Sequence, residues 1–131
     1  MIRIAVVGLG WWGKQIVSCL AASDKFRVVA GYDLDAGPLS AFAAEHSLAL
    51  AESFDALLAR TDVEAVAVAT PHAEHESQVL AAIAAGKHVF CEKPLTLTAA
   101  SARRMLDACR TAGRTLGIGH ERRYEPAMEE V

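Results

Sequence analysis

The apolar residues 2–7 (IRIAVV) run directly into Gly8-Leu9-Gly10-Trp11-Trp12-Gly13, and Asp33 closes the next apolar run twenty residues after Gly13. A strand, a three-glycine turn, a helix and an acid at that distance describe the opening unit of a dinucleotide-binding fold. Each glycine has a separate task in that pattern. Gly8 allows the tight turn out of the strand, Gly10 lets the backbone approach a pyrophosphate, and Gly13 lets the helix pack on the strand. The helix opening near Trp11 turns free N–H groups and its positive dipole end toward the phosphates. Asp33 is then placed to accept hydrogen bonds from ribose hydroxyls. A glycine triplet alone is a weak signal; the flanking strand, helix and acid make it specific.

Composition narrows the class. The 131 residues suffice for one domain with its own core. Of them 53% are hydrophobic and only 6% aromatic, so the core must be built from Ala, Val, Leu and Ile, which suits helices packed closely on a sheet. Cys19, Cys91 and Cys109 are an odd number without a close pair, which suggests neither a disulfide framework nor a zinc site. A net charge of −3 argues against nucleic acid as a partner, and the pairs Arg103-Arg104 and Arg122-Arg123 read as solvated faces. No apolar run is long enough for a membrane span, and Met1 leads straight into strand residues without a signal peptide. A cytoplasmic location is expected.

Strand and helix patterns alternate along the chain. Strands are expected over residues 2–7, 26–32, 48–50, 65–69, 88–91 and 115–119. Helices are expected over 11–22, 37–46, 53–58, 71–85 and 98–113, with Pro38 in a first turn, Ser53 as a cap and Gly86 as a left-handed stop. The near-pure Ala/Val run at 65–69 is that of a strand covered on both faces. Six strands joined by helices predict an α/β fold, a Rossmann-type doubly wound parallel sheet with helices on both faces. Pro126 fits the first turn of one more helix, with Glu129 and Glu130 near its positive end and Met128 and Val131 one turn apart. A helix that short cannot hold itself together. The two readings are a frayed tail or, the favoured one, residues 121–131 as the start of a crossover into a second domain that this chain lacks.

Ligands in such sheets bind at the carboxyl ends of the strands, near the reversal of strand order. Three segments fall at such ends: residues 69–75 (ATPHAEH), 91–94 (CEKP) and 119–124 (GHERRY). An ammonium such as that of Lys93 beside a substrate hydroxyl would stabilise developing charge as hydride leaves the carbon, or relay a proton. Without its neighbours Lys93 would read as an exposed lysine at a strand end. Glu92 orients Lys93 or satisfies nearby backbone. His72 and His75 lie about one helical turn apart, but no third ligand beyond Glu76 is in view, and no metal is expected. His75 is expected to hydrogen-bond near the helix start and hold the loop. Cys91 has no activating partner. Trp11 and Trp12 either cover the cofactor or pack against another domain.

The glycine turn, TPHAEH (70–75), GKHVFCEKPL (86–95) and GHERRYEPA (119–127), in that order, resemble the Gfo/Idh/MocA family along essentially the whole chain. The resemblance implies a nicotinamide-dependent dehydrogenase of sugars, cyclitols and related compounds. It implies that Lys93 is catalytic, contacting the nicotinamide side and the reacting hydroxyl, with Lys93-Pro94 in the cis form. It implies that Thr70, Pro71 and His75 line the nicotinamide ribose. It also implies a larger, mostly antiparallel second domain that carries the substrate pocket, further catalytic residues and the contacts for association into oligomers. The expected cofactor site comprises Gly8, Gly10, Trp11, Trp12, Gly13, Asp33, Thr70, Pro71, His75, Glu92 and Lys93. Asp33, with no cation at Leu34 or Asp35, favours NAD over NADP. The expected division is 1–120 for the nucleotide domain and 121–131 for the crossover. The chain alone is expected to be inactive, and the rival reading is a non-enzymatic NAD-binding sensor or subunit module.

Overall fold

The computed structural model describes residues 1–129; Glu130 and Val131, which the sequence placed in the last short helix, lie outside the described residues. Six strands form one parallel sheet: β1 (Ile2–Val7), β2 (Phe26–Tyr32), β3 (Ala49–Leu50), β4 (Ala65–Val68), β5 (His88–Glu92) and β6 (Leu116–Gly119), in the spatial order β3-β2-β1-β4-β5-β6. Strand order reverses between β1 and β4, as a doubly wound sheet requires. The crossovers are α1 (Trp11–Leu20), α2 (Ser40–Glu45), α3 (Phe54–Leu58), α4 (His72–Ala84) and α5 (Ala99–Ala112). A four-residue helix, α6 (Pro126–Glu129), follows.

The period of two along β1 sorts the core into two layers. Ala5 and Val7 point to one face, where Leu57 of α3, Val79, Ala82 and Ile83 of α4, and Met105 of α5 cover them. Ile4 and Val6 point to the other, under Val17 of α1 and Leu39 and Ala43 at α2. Coverage is uneven. On the α1/α2 face no helix among the described residues lies over β5 and β6, whereas Ala67 of β4 is buried in the layer under α1. A hollow of about 740 Å³ opens there, with Trp12, Ile16, Ala67, Phe90 and Gly117 among its lining. Phe90 is 38% exposed as a result. Helices therefore lie on both faces, as the pattern predicts, without covering both faces of every strand.

Local chemistry explains most boundaries. Ser53 Oγ accepts from the Ala56 N–H at the start of α3, and Thr98 Oγ1 accepts from the Ser101 N–H at α5. Gly86 ends α4 at φ +76°. Two helices differ from expectation, and one element is new. The helix foreseen over 37–46 is a 3₁₀ turn over Gly37–Leu39 followed by α2, because Gly37 and Pro38 bias the start toward a tighter turn. The first helix stops at Leu20 rather than residue 22. A 3₁₀ turn over Glu121–Tyr124, not foreseen, links β6 to α6.

Candidate nucleotide site

A cleft of about 680 Å³ lies at the carboxyl ends of β1, β2 and β4, with Gly8, Gly10, Asp33, Leu34, Thr70 and Pro71 in its walls. Close packing of backbone builds it. Gly8 has φ +85°, and a Cβ there would stand 2.8 Å from the carbonyl carbon and oxygen of Ala69. The turn after β1 is thus pressed against the end of β4, which only glycine allows. At Gly13 a Cβ would lie 1.8 Å from the Gly8 carbonyl oxygen, so α1 rests directly on the turn. Gly10 faces open space, with nothing within 4 Å of its Cβ position.

Gly10 is also the N-cap of α1 and supplies no side-chain cap; no acid occupies the first turn. The N–H groups of that turn have no side-chain acceptor in their way, and the dipole end is bare. That combination fits a phosphate group. Asp33 sits opposite, and its carboxylate is fixed at both oxygens. Oδ2 accepts from the Leu9 N–H at 2.7 Å and Oδ1 from the Asp35 N–H at 3.1 Å. One side chain therefore binds the glycine turn to the end of β2. Each oxygen keeps a lone pair for a further donor in the cleft. The residues present fit a dinucleotide.

The remaining predicted residues separate into two groups. Thr70 and Pro71 line the cleft, and the Thr70 hydroxyl donates to Gln78 Oε1. The side chains of Trp11 and Trp12 do not line it. Trp11 is 71% exposed, its ring 5.3 Å from that of Trp12, and Trp12 borders the hollow over β4–β6. Their place on the first turn of α1 turns the rings outward and leaves only their backbone near the turn. Glu92 is 8% exposed; its Oε2 accepts from the Lys93 N–H at 3.3 Å, and its carboxylate rests against Gly119 of β6. Lys93 is exposed at the end of β5, outside the cleft walls, and makes no ion pair among the described residues. The Lys93-Pro94 peptide is cis, as expected.

His75 is fully buried, so it does not face the cleft. Its Nε2 lies 2.9 Å from the Thr70 carbonyl oxygen, and its Nδ1 lies 3.0 Å from that of Pro94 and 3.2 Å from that of Leu95. A loop-holding histidine was legible in the sequence. The partner strand-end loop was not, since nothing in the spacing of His75 and Pro94 announces a contact. The same holds for Asp33 reaching Leu9. Glu76, one residue on, ties α4 to α5 through Ser101 and Arg104. These hydrogen bonds, first from Arg104 and then from Ser101, hold the Glu76 carboxyl below its ordinary range. Burial, with the Glu92 charge adding to it, pushes the Cys91 thiol up to about 12, so it carries no thiolate at neutral pH. Among the described residues no three His, Cys, Asp or Glu side chains are grouped to hold a metal ion, and no helix is long and apolar enough to cross a membrane.

Known proteins share this fold. The chain is 46% identical over 128 residues to 1,5-anhydro-D-fructose reductase from Ensifer adhaerens, a match covering 97% of the chain and 38% of that protein. It is 42% identical to inositol 2-dehydrogenase from Agrobacterium fabrum, over 95% of the chain and 38% of the relative. The structure of UDP-N-acetylglucosamine 3-dehydrogenase from Acidithiobacillus ferrooxidans superposes with a TM-score of 0.90 at 32% identity, over 98% of this chain and 41% of that one. The chain thus spans little more than a third of the length of such relatives. Residues 2–120 match the family model described as the oxidoreductase family, NAD-binding Rossmann fold, and the chain belongs to that Gfo/Idh/MocA oxidoreductase family.

Proposed function

We propose that this chain is the NAD(H)-binding part of a dehydrogenase that moves hydride between the cofactor and a secondary alcohol of a sugar-like or cyclitol-like substrate. The observation that carries the reading is Asp33, fixed by the Leu9 and Asp35 N–H groups across the cleft from the open N-terminus of α1. In this reading the α1 N-terminus and the Gly8–Gly13 turn hold the pyrophosphate, with the backbone of Trp11 and Trp12 rather than their rings taking part. Asp33 accepts from the adenosine ribose. Thr70 and Pro71 border the nicotinamide ribose, and His75 acts from behind the wall. Bound nicotinamide supplies the hydride acceptor. Lys93 meets the substrate oxygen, where its ammonium offsets the developing charge and relays the hydroxyl proton, handing one of its own protons to solvent water as it takes the substrate's. Glu92 holds the Lys93 backbone.

The names of the relatives support the substrate class, and the end of the family match at residue 120, beside the greater length of the relatives, supports a division there with 121–131 leading into a substrate domain. Association into a homo-oligomer would use that further length. The expected setting is the cytoplasm, with a small polyol or sugar as partner.

Asp33 also sets the cofactor choice. A carboxylate about 4 Å from a single negative charge on a 2′-phosphate costs roughly 4 kcal/mol at an effective dielectric of 20, before solvent relaxes. Calorimetric titration of this chain with both cofactors should give markedly tighter binding of NAD than of NADP. The double substitution Asp33→Ser, Leu34→Arg should move the preference toward NADP. Equal affinities in the unaltered chain would remove Asp33 from the choice, and no binding of either cofactor would remove the reading itself.

A further inference from the structure

We propose that Gly119 of β6 is a positioning residue for Lys93: its missing side chain is the seat of the Glu92 carboxylate, which holds the Lys93 backbone. Its functional meaning rests on the proposed role of Lys93. The third strand-end segment, residues 119–124, thereby contributes a gap to the site rather than a side chain. Register brings the partners together. In the parallel pairing of β5 with β6, Phe90 stands beside Gly117 and Glu92 beside Gly119. Residues two apart on a strand share a face, so these four positions lie on the side of the sheet where the hollow opens. Conformation does not require glycine at 119, since its φ lies outside the left-handed region. Space does. The three atoms nearest to where its Cβ would stand all belong to one carboxyl group: Glu92 Oε2 at 2.7 Å, and Cδ and Oε1 at 2.8 Å. At Gly117 a Cβ would come only to 3.5 Å from the Phe90 ring, an ordinary contact.

Glu92 is buried and makes no ion pair among the described residues; the Lys93 N–H is the donor that meets its carboxylate. A methyl group on residue 119 would take the place of that carboxylate. The obstructed atoms are the far end of a flexible side chain, so the clash is relieved when Glu92 swings toward the hollow, and the sheet need not move. This separates Gly119 from Gly13, where a Cβ would meet the Gly8 backbone. The swing leaves the Lys93 N–H without its acceptor at the point where β5 ends. The ammonium hangs from that same residue, so a looser backbone spreads it over more positions beside the substrate oxygen. Small misplacements of a reacting group are costly in rate.

Hydrogen exchange on this chain reads the seat directly. Gly119→Ala should raise exchange at the Lys93 amide about tenfold, as loss of one hydrogen bond implies, while Ala5–Val7 stay protected. Gly117→Ala, on the same strand and face, should leave the Lys93 amide unchanged. The double variant Glu92→Ala, Gly119→Ala should exchange at Lys93 no faster than Glu92→Ala alone, because a residue that acts through the carboxylate has nothing to act on once it is gone. Unchanged exchange in folded Gly119→Ala, equal acceleration by both glycine variants, or a further rise in the double variant overturns the proposal. If Gly119→Ala does not fold, the double variant decides: removal of the carboxylate should restore folding, and failure of both overturns the seat. Joined to the further length its relatives carry, Gly119→Ala should lower kcat about tenfold and leave KM for NAD unchanged, since Gly119 and Glu92 stand outside the cleft walls. An unchanged kcat overturns the positioning role. Failure of the chain to bind NAD would strike the proposed function and leave the exchange at Lys93 untouched.

Discussion

The two ends of the site are built by different means. Around β1 and β2 the cleft is made of backbone pressed on backbone: Gly8 against Ala69, α1 on the Gly8 carbonyl, and one carboxylate pinned by two N–H groups. Around β4 and β5 the loops hang on side chains, His75 holding Thr70, Pro94 and Leu95, and Glu76 reaching Ser101 and Arg104. The first kind is steric and also spans the sheet, since Gly8 meets Ala69 and Asp33 reaches back twenty-four residues to Leu9. The second joins positions nineteen and twenty-five residues apart, through contacts that exist only once the sheet has formed. The nucleotide end should therefore be intolerant of added volume, and the lysine end should be adjustable without loss of the fold.

The sharpest challenge to that contrast is Gly13→Val. A Cβ at 1.8 Å from the Gly8 carbonyl has no flexible neighbour to displace, so α1 would have to lift off the turn. Overpacking in a core typically costs about 1–3 kcal/mol, and a clash with backbone belongs at or beyond the upper end. Thermal unfolding should show a large drop in midpoint or no folded state. A variant with near-normal stability and NAD affinity would mean the turn is far softer than its packing implies.

Lys93→Met tests the other end. Joined to the further length its relatives carry, the enzyme should lose at least about a hundredfold in turnover, in line with lost acid–base assistance. The isolated chain should still bind NAD, since Lys93 stands outside the cleft walls. Turnover close to normal would remove Lys93 from the chemistry. A collapse of NAD binding in the folded variant would make it a cofactor residue and blur the division between the two ends.

The same division explains what could be read from residues alone. The succession of strands and helices, the glycine turn and the position of Asp33 after the second strand follow from short-range pattern, and so do the caps at Ser53 and Gly86. The break between Gly37–Leu39 and α2 did not, because a proline near a helix start suits a 3₁₀ turn as well as an α-helical one. The tryptophan rings were expected either to cover the cofactor or to pack against another domain, and closeness in sequence to the turn does not give the direction of a helical side chain, which decides where they stand. Phe90 faces the side of β5 that no described helix covers, which nothing in its short apolar run announces. The double grip of His75 is tertiary and left no trace in spacing. Its one sequence signal was a histidine a single turn into a helix that follows a strand end.

The smallest expected effect belongs to Glu76→Gln, and it probes whether the side-chain ties around α4 are individually dispensable. Arg104 and Ser101 hold the Glu76 carboxyl below its ordinary value of 4.5, so the folded state binds that proton less readily than the unfolded chain. Stability from the tie is present above about pH 4.5 and is lost as pH falls through the lower folded-state value. Asp62, held down first by its Arg60 hydrogen bond, and Glu64, held down by the Arg3 backbone and side chain, follow the same sign and remain in the variant. Acid unfolding of Glu76→Gln should therefore be less steep than in the unaltered chain, not flat. At pH 7 the loss should be slight, because Arg104 is more than half exposed and water screens the pair. Denaturant midpoints measured from pH 7 to pH 3 should start slightly apart and converge in acid. A large loss at pH 7 would instead make Glu76 a keystone of the α4–α5 layer, and the lysine end would then be as rigidly specified as the nucleotide end.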